Sequence, residues 1–429
     1  MAERIMAAPL ARIALLCSGR DGEAFAEDIV GNIPQEMKTE NVIFVTIMLK
    51  PEESLLEFTL RCIEQIKREN FDFVISLTDS TVVVHAKISS VLPKIPGPSL
   101  DSVMAAFNKI HARKFLMKDG GGVRYTHLDL NASPQDISDA VKLVGLPAFI
   151  KPVALQYSIG VERIDNENDI KPCLHIIKEM DILYQKNDVT GVFEIIPDED
   201  GAILEQYIDS EAMATVEGCV ANGNIIHWSI TDTLFWPCRS AVLGCAYPSK
   251  FPRDLQDKLW REFDDIVGRM IELGFDNQFV HVEIFIMADN SIKIIEINHR
   301  LSTVVAPLYR ACLHDGNVGV ALMEMNRGTI PKHPRPNGKC GLGGLLVMFK
   351  SGVAKDLIDF EYAKSIPDVV IIKSPNENIF YPGDDGGCVV GTVCVVGDNH
   401  EDTLEEFLRI SRRILKHQEN SPAQLGDDL

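Results

Sequence analysis

The sequence predicts an α/β amino-terminal region followed by an α+β region built on an antiparallel sheet. Three features carry that expectation. Over the first hundred residues, short apolar runs alternate with segments of helical periodicity, the pattern of a parallel, doubly wound sheet. Through the middle of the chain the runs alternate apolar and polar residues and are joined by turn dipeptides, the pattern of antiparallel hairpins. Beyond Lys339 short strands recur, and one helix follows them.

Taken in order, ARIALLC (11–17), VIFVTIM (42–48) and FDFVISL (71–77) read as the first three strands. Leu55, Leu56, Leu60, Ile63 and Ile66 fall near helical spacing, and Val82–Val91 reads as the next helix, ended by Pro93, Pro96 and Pro98. Asp101 to Lys118 is expected as one helix, stopped by Gly120-Gly121-Gly122. Ser133 is an N-cap, with Pro134 at the first helical position and Asp136 near the positive end; that helix runs to about Gly145. LPAFIKP (146–152) is a short strand. AILEQYI, EAMATVEGCVA, NIIHWSITDTLF, QFVHVEIFIMA and SIKIIEIN form the antiparallel sheet, with Asn222-Gly223 and Asp289-Asn290 as turns. One long helix interrupts it, marked by a stripe of Leu255, Leu259, Phe263, Ile266, Val267, Met270 and Ile271. GLGGLLVMF, DVVIIK and GCVVGTVCVVG are later strands, about 401–416 is a helix, and QENSPAQLGDDL reads as a frayed tail.

The 429 residues exceed one ordinary core and imply two or three packed units. With 46% hydrophobic and 24% charged residues, the chain has the balance of a globular protein with a large core. The formal net charge of −20 and the lack of any dense Lys/Arg run argue against a nucleic-acid partner. Ten cysteines are spaced singly, without a C-x-x-C pair, so reduced thiols in a cytoplasmic protein are expected rather than zinc or redox sites. No apolar run reaches the roughly 18 residues a membrane helix needs. Pro9 and Arg12 interrupt the amino-terminal stretch, so neither a secretory signal nor a membrane partner is expected.

Four segments carry candidate chemistry. HVEIFIMADNSIKIIEINHRL (281–301) places Glu283 on one strand and Glu296 on the next. Glu296 and Asn298, two apart, point to one face, and Arg300 continues it. Two carboxylates and an amide suit Mg²⁺, which takes a few hard oxygens and leaves the rest to water and phosphate. Acids on strand faces are more often simply solvated, but these two sit in otherwise apolar runs, where a buried carboxylate needs a partner or a metal. In PAFIKPVALQYSIGVERI (147–164), Lys151 ends a strand and a loop with Ser158 and Gly160 follows; phosphate binding and a plain turn both fit. ILEQYIDSE (203–211) reads as an edge strand, or as a linker offering backbone groups to a purine edge. Lys109 and Arg113 lie one helical turn apart and read alone as solvated helix charges.

The order and spacing of these segments resemble the ATP-grasp superfamily over roughly 100–330. H-x-E followed by E-I-N-x-R, with a trailing domain, is most similar to its amino-acid ligase (carboxylate–amine ligase) branch. The resemblance implies a Rossmann-like amino-terminal domain over 1–100 and an ATP-grasp domain over 101–330, with a lid subdomain at about 140–210. A carboxy-terminal domain over 331–418 and a tail over 419–429 would follow. It further implies that Lys109 and Lys151 contact ATP phosphates, that the loop carrying Ser158 and Gly160 covers them, and that Glu205, Gln206, Tyr207 and Ile208 form the adenine hinge. Glu211 would meet the ribose. Glu283, Glu296 and Asn298 would hold Mg²⁺, with Mn²⁺ as the alternative ion. Arg300, with Lys151 as the second catalytic cation, would steady an acyl phosphate.

The implied partners are a small-molecule carboxylate and an amine, and a homodimer is the family-level expectation. The alternatives are another ATP-grasp reaction, carboxylation or nucleotide-precursor ligation, or a non-catalytic ATP-binding protein. Two departures from the family pattern concern substrate choice: Gln156, Tyr157 and Ile159 stand where relatives have glycine, and Leu301, Ser302 and Thr303 follow Arg300. Specificity is expected from loops at 239–250 and 300–315, with Arg239, Arg310 and His314 as candidates.

Overall fold

The computed structural model describes residues 11–35, 37, 42–50, 52–117, 122–155, 160–186, 189–196, 200–236, 241–302, 304–367, 369–370, 380–381 and 388–416. Contacts group the chain into two compact units that interleave along the sequence. One comprises 1–16, 40–212 and 262–300, the other 17–39, 213–261 and 301–429.

The first unit opens with a three-stranded sheet in which Val42–Met48 lies beside Ala11–Cys17 and Phe73–Ser76 lies on its other side. Ala11–Cys17 and Phe73–Ser76 run parallel, as the alternating pattern predicts. The helix Leu55–Glu69 begins at a capping box of Ser54 and Glu57 and buries Leu55, Phe58, Cys62, Ile63 and Ile66. The helix Asp79–Val91 follows the third strand, with Asp79 as its first residue. A four-stranded antiparallel sheet comes next, ordered Tyr125–Leu128, Ala202–Gln206, Ala148–Pro152 and Glu162–Ile164. The buried Tyr184 hydroxyl accepts from Val153 N–H and donates to the Gly201 carbonyl, tying this sheet to the helix Ile170–Lys186. The unit ends with the hairpin Gln278–Ile286 and Ile292–Asn298, whose turn places Asn290 at φ 59°.

The second unit is a run of antiparallel strands in the order Ala212–Ala221, Asn224–Phe235, Val242–Tyr247, Cys340–Met348, Cys388–Gly397 and Val369–Val370. Asn222 and Gly223 both adopt positive φ, so the Asn-Gly hairpin turn forms as its sequence predicts. The helix His400–Ile414 packs on the glycine-rich strand. A Cβ at Gly344 would lie 2.1 Å from the Phe407 ring, so only glycine lets helix and strand approach this closely.

One sequence expectation is corrected, and two helices are added to it. The single helix expected over 101–118 is two helices, Leu100–Phe107 and Lys109–Leu116. Asn108 breaks them: its backbone is extended (φ −91°, ψ 120°), and its buried side chain accepts the Ile110 N–H as the cap of the second helix. The helices Ile170–Lys186 and Val189–Ile195 have no counterpart among the sequence expectations.

Candidate functional site

The hairpin supplies the centre of the site, within the first unit. Its register pairs Glu283 directly with Glu296, and His281 directly with Asn298. Residues directly opposite in an antiparallel pair share a face, as do residues two apart on one strand. The two carboxylates, the amide and the imidazole therefore stand together on one side of the hairpin. Like charges placed opposite one another are unfavourable unless something offsets them.

Cations ring this face. Lys109 Nζ lies 3.6 Å from Glu296 Oε1 and donates to the Leu155 carbonyl at 2.7 Å. The Asn108 break starts the short helix there, and Lys109 N–H donates to the Val153 carbonyl, which fixes the lysine's base. His281 Nε2 is 3.3 Å from Glu283 Oε1. Burial alone would raise the Glu283 pKa. The His281 hydrogen bond and the charges of His281, Arg300 and Lys109 outweigh it and hold the carboxyl below its ordinary range. Arg300 is itself anchored: its Nε donates to Asp79 Oδ2 at 2.5 Å. Burial also opposes ionisation of Asp79, but Arg300 and His299 bring its pKa down. His299 packs its ring against Phe107, with its Nδ1 buried and unpartnered among the described residues.

A second cluster centres on Glu205, whose side chain is only 3% exposed. Arg113 grips it with Nε at 2.6 Å and Nη2 at 3.3 Å, and Lys151 Nζ donates at 2.8 Å. Arg113 also donates to the carbonyls of Ile294 and Ile295, at 2.9 and 2.8 Å. Burial pushes the Glu205 pKa up, but Lys151 and Arg113 pull it down to about 2.

The remaining predicted site residues are distributed as follows. Gln206 and Tyr207 donate their N–H groups to the Arg124 and Pro147 carbonyls, whereas Ile208 N–H donates to no described group. Tyr207 stacks beneath Arg163, 4.4 Å from the guanidinium carbon, and Glu211 is exposed, its N–H donating to Ile286. Gly160 has φ 69°, and a Cβ there would sit 2.9 Å from Pro152, so glycine is required at that point. Ser158 lies outside the described residues, as does Arg239. Arg310 forms a two-pronged ion pair with Asp28, and His314 is exposed on a two-residue strand. Among the described residues, no group of three or more His, Cys, Asp or Glu side chains could hold a metal alone. Glu283, Glu296 and Asn298 suit an ion that takes one or two carboxylates and fills its shell with phosphate and water, as Mg²⁺ does.

Sequence reasoning passed over Asp79 and His299 and gave Arg113 no role in the site. Arg113 read alone as a solvated helix charge, yet it is buried. Asp79 had a signal: it follows the carboxyl end of a parallel strand, the place where open α/β sheets bind ligands.

Comparison with known proteins bears on this geometry. The family model described as "ATP-grasp domain" matches residues 144–306. No curated protein matches the chain. An L-amino acid ligase from Bacillus licheniformis superposes with a TM-score of 0.67 at 17% identity, covering 95% of this chain and 98% of that one. An N5-carboxyaminoimidazole synthetase from Staphylococcus aureus does so at 0.64 and 14%, covering 94% and 98%. A phosphoribosylglycinamide synthetase from Anaerococcus prevotii reaches 0.59 at 15%, covering 95% and 100%. At these identities the likeness is one of fold. The chain thus carries an ATP-grasp domain over residues 144–306 and shares its fold with these enzymes.

Proposed function

We propose that this chain is an ATP-dependent ligase that joins a carboxylate to an amine through an acyl phosphate, with an amino acid as one substrate. One observation carries the proposal: Glu283 stands opposite Glu296 across the hairpin, with Asn298 on the same face and Lys109 at its edge. A protein gains nothing in stability from opposed carboxylates. Such a pair makes sense as a holder of Mg²⁺ or Mn²⁺, with Asn298 as the third ligand. When bound, the ion would supply positive charge against phosphate oxygens.

The chain's own residues would do the rest. A substrate carboxylate oxygen attacks the γ-phosphorus of ATP and ADP leaves; the amine then attacks the acyl carbon and phosphate departs. The net products are an amide, ADP and phosphate. Lys109 and Lys151 would meet phosphate oxygens. Each ammonium has three N–H donors, so Lys151 can keep Glu205 and Lys109 can keep the Leu155 carbonyl while binding phosphate. Ile208 N–H would donate to an adenine edge beside the Glu205–Tyr207 backbone, and Glu211 would meet a ribose hydroxyl. The loop with Ser158 and Gly160 would cover the phosphates. Arg300 would face the oxyanion that develops as the amine attacks.

A screen of amino-acid pairs for ADP release, with mass detection of the product, tests the proposal. ADP release that needs both a carboxylate and an amine, with a product lighter by one water than the sum of the pair, is expected. Release that needs bicarbonate instead would assign the site to carboxylation. Calorimetric ATP binding without turnover on any mixture would make the chain a nucleotide binder.

A further inference from the structure

Lys109 is held at both ends by one short segment. Its backbone N–H donates to the Val153 carbonyl at 2.8 Å, and its ammonium donates to the Leu155 carbonyl at 2.7 Å. The ammonium stands 3.6 Å from Glu296 Oε1, so the path of this segment decides how the lysine meets the hairpin. The segment is tied down by Tyr184. Val153 N–H donates to the Tyr184 hydroxyl at 2.9 Å and, less closely, to the Gly201 carbonyl at 3.2 Å. Tyr184 closes the triangle by donating to that same carbonyl at 2.5 Å. Gly201 has no freedom to be another residue: its φ is 108°, and a Cβ would lie 2.4 Å from the Leu128 carbonyl oxygen. The Tyr184 ring is 2% exposed and meets Phe193 edge-on, so it is packed in place. A phenylalanine would fill the same core. What tyrosine adds is a hydroxyl that accepts from one backbone group while donating to another.

We propose that Tyr184 is a positioning residue for Lys109: its hydroxyl fixes Val153, and the segment from Val153 to Leu155 then presents the Lys109 ammonium beside Glu296. The consequence for ATP binding rests on the reading of Lys109 as a phosphate contact; the placement of the ammonium does not. Tyr184 touches neither nucleotide nor metal in this scheme. It acts through the backbone of Val153 and Leu155, whose carbonyls no side-chain substitution removes, so the hydroxyl is the handle by which the arrangement can be tested.

The test compares the wild-type chain, Tyr184→Phe, Lys109→Met, the double variant and Ile177→Val. Ile177 is 1% exposed on the same helix and serves as the packing control. The first measurement is the rate at which acetic anhydride labels each lysine, read by peptide mass spectrometry without nucleotide. In Tyr184→Phe, Lys109 is expected to label roughly fivefold faster, the scale of one neutral hydrogen bond. Lys151, as little exposed (19% against 17%) but held by Glu205, should change less, and Ile177→Val should change neither. The second measurement is calorimetric binding of ATP with Mg²⁺. Tyr184→Phe is expected to bind roughly fivefold more weakly and Lys109→Met at least about tenfold. Adding Tyr184→Phe to Lys109→Met should cost less than about twofold more, because the hydroxyl acts through the lysine. If Tyr184→Phe does not fold, the α-hydroxy analogue of valine at position 153 replaces the N–H by an ester oxygen; it deletes the same contact from the other side and should give the same faster labelling of Lys109. Lys109 labelling within about twofold of wild type, or raised equally by Ile177→Val, overturns the proposal. So does an ATP affinity that Tyr184→Phe and Lys109→Met lower independently, or that only Lys109→Met lowers. Failure of the phosphate reading has a separate signature: Lys109 labels faster in Tyr184→Phe, yet Lys109→Met binds ATP as wild type does.

Discussion

Two groups of carboxylates in the same unit are treated in opposite ways. Glu205 is buried and met by two cations, Arg113 and Lys151, which together exceed its charge. Glu283 and Glu296 are about a quarter exposed, 26% and 29%, and stand opposite each other, with Lys109 at 3.6 Å and His281 at 3.3 Å as looser neighbours. The first arrangement is closed: Arg113 Nε and Lys151 Nζ reach Glu205 at 2.6 and 2.8 Å, and Arg113 also donates to two backbone carbonyls. The second is looser: both acids keep part of their side-chain surface exposed. Residue type alone does not separate a structural acid from a candidate metal ligand. The difference lies in whether the protein itself completes the charge.

The sharpest way to break the comparison is Glu205→Gln. The change keeps the shape but strands two cations, one of them deeply buried. Removing one member of a buried ion pair typically costs about 3–5 kcal/mol. Chemical denaturation should show a loss of that size, and a loss under about 1 kcal/mol would place Glu205 outside the structural class. Glu296→Gln should behave in the opposite sense. Opposed like charges are relieved, so stability should be unchanged or slightly higher. Turnover should fall on the order of a hundredfold or more, the scale seen when one group meeting developing charge is removed. Steady-state ADP release, measured beside thermal melting, separates the two effects; full activity would remove Glu296 from the metal site.

The two regions were not equally legible in the sequence. The hairpin was, because strand alternation and the Asp289-Asn290 turn together fix its register, and register decides which residues share a face. The clamp on Glu205 was not. Arg113 and Glu205 are 92 residues apart, and no local pattern announces a partner at that distance. Glu205 was expected for its backbone, at the end of a strand, and its carboxylate turned out to hold the neighbouring cations. Asn108 was missed for a different reason. Helical periodicity continues across it, and only its buried cap and extended backbone stop the helix. The helix at Ile170–Lys186 did leave a trace: Asn166 and Asp169 form a capping box just before it.

Acid titration sharpens the contrast from another side. The Glu205 pKa lies near 2 in the folded chain against an ordinary 4.5, so the unfolded chain takes up its proton first. Stability from this group is present above pH 4.5 and is lost as pH falls toward 2, by about 3 kcal/mol at most. His85 gives a second window. It is buried between the Ser76 hydroxyl and the Pro96 carbonyl, and burial lowers its pKa from 6.5 to about 4. Here too the unfolded chain binds the proton first, so stability falls between pH 6.5 and 4, by a similar amount. Urea unfolding across pH 7 to 3 should show both segments in the wild type. In Glu205→Gln the lower segment should shrink while the upper one remains. Equal loss of both would mean that the two groups unfold as one network.

The smallest expected effect tests how much geometry the open carboxylates need. Asn108→Ala removes the cap of the helix that begins at Lys109 and leaves every charge in place. Caps of this kind contribute roughly 0.5–2 kcal/mol. Most of that loss should appear locally, because the capped N–H belongs to Ile110, the residue after Lys109. The lysine's ammonium would then sample more positions around Glu296 while the Glu205 clamp, held by Arg113 from the next turn, keeps its contacts. The expected signature is a KM for ATP that rises by several-fold, with kcat changing less and global stability falling by about 1 kcal/mol. Asn108→Asp, which also caps well, should restore the KM. A KM unchanged in Asn108→Ala would mean that the Val153 carbonyl alone fixes the base of Lys109, and that the helix break serves packing and not the site.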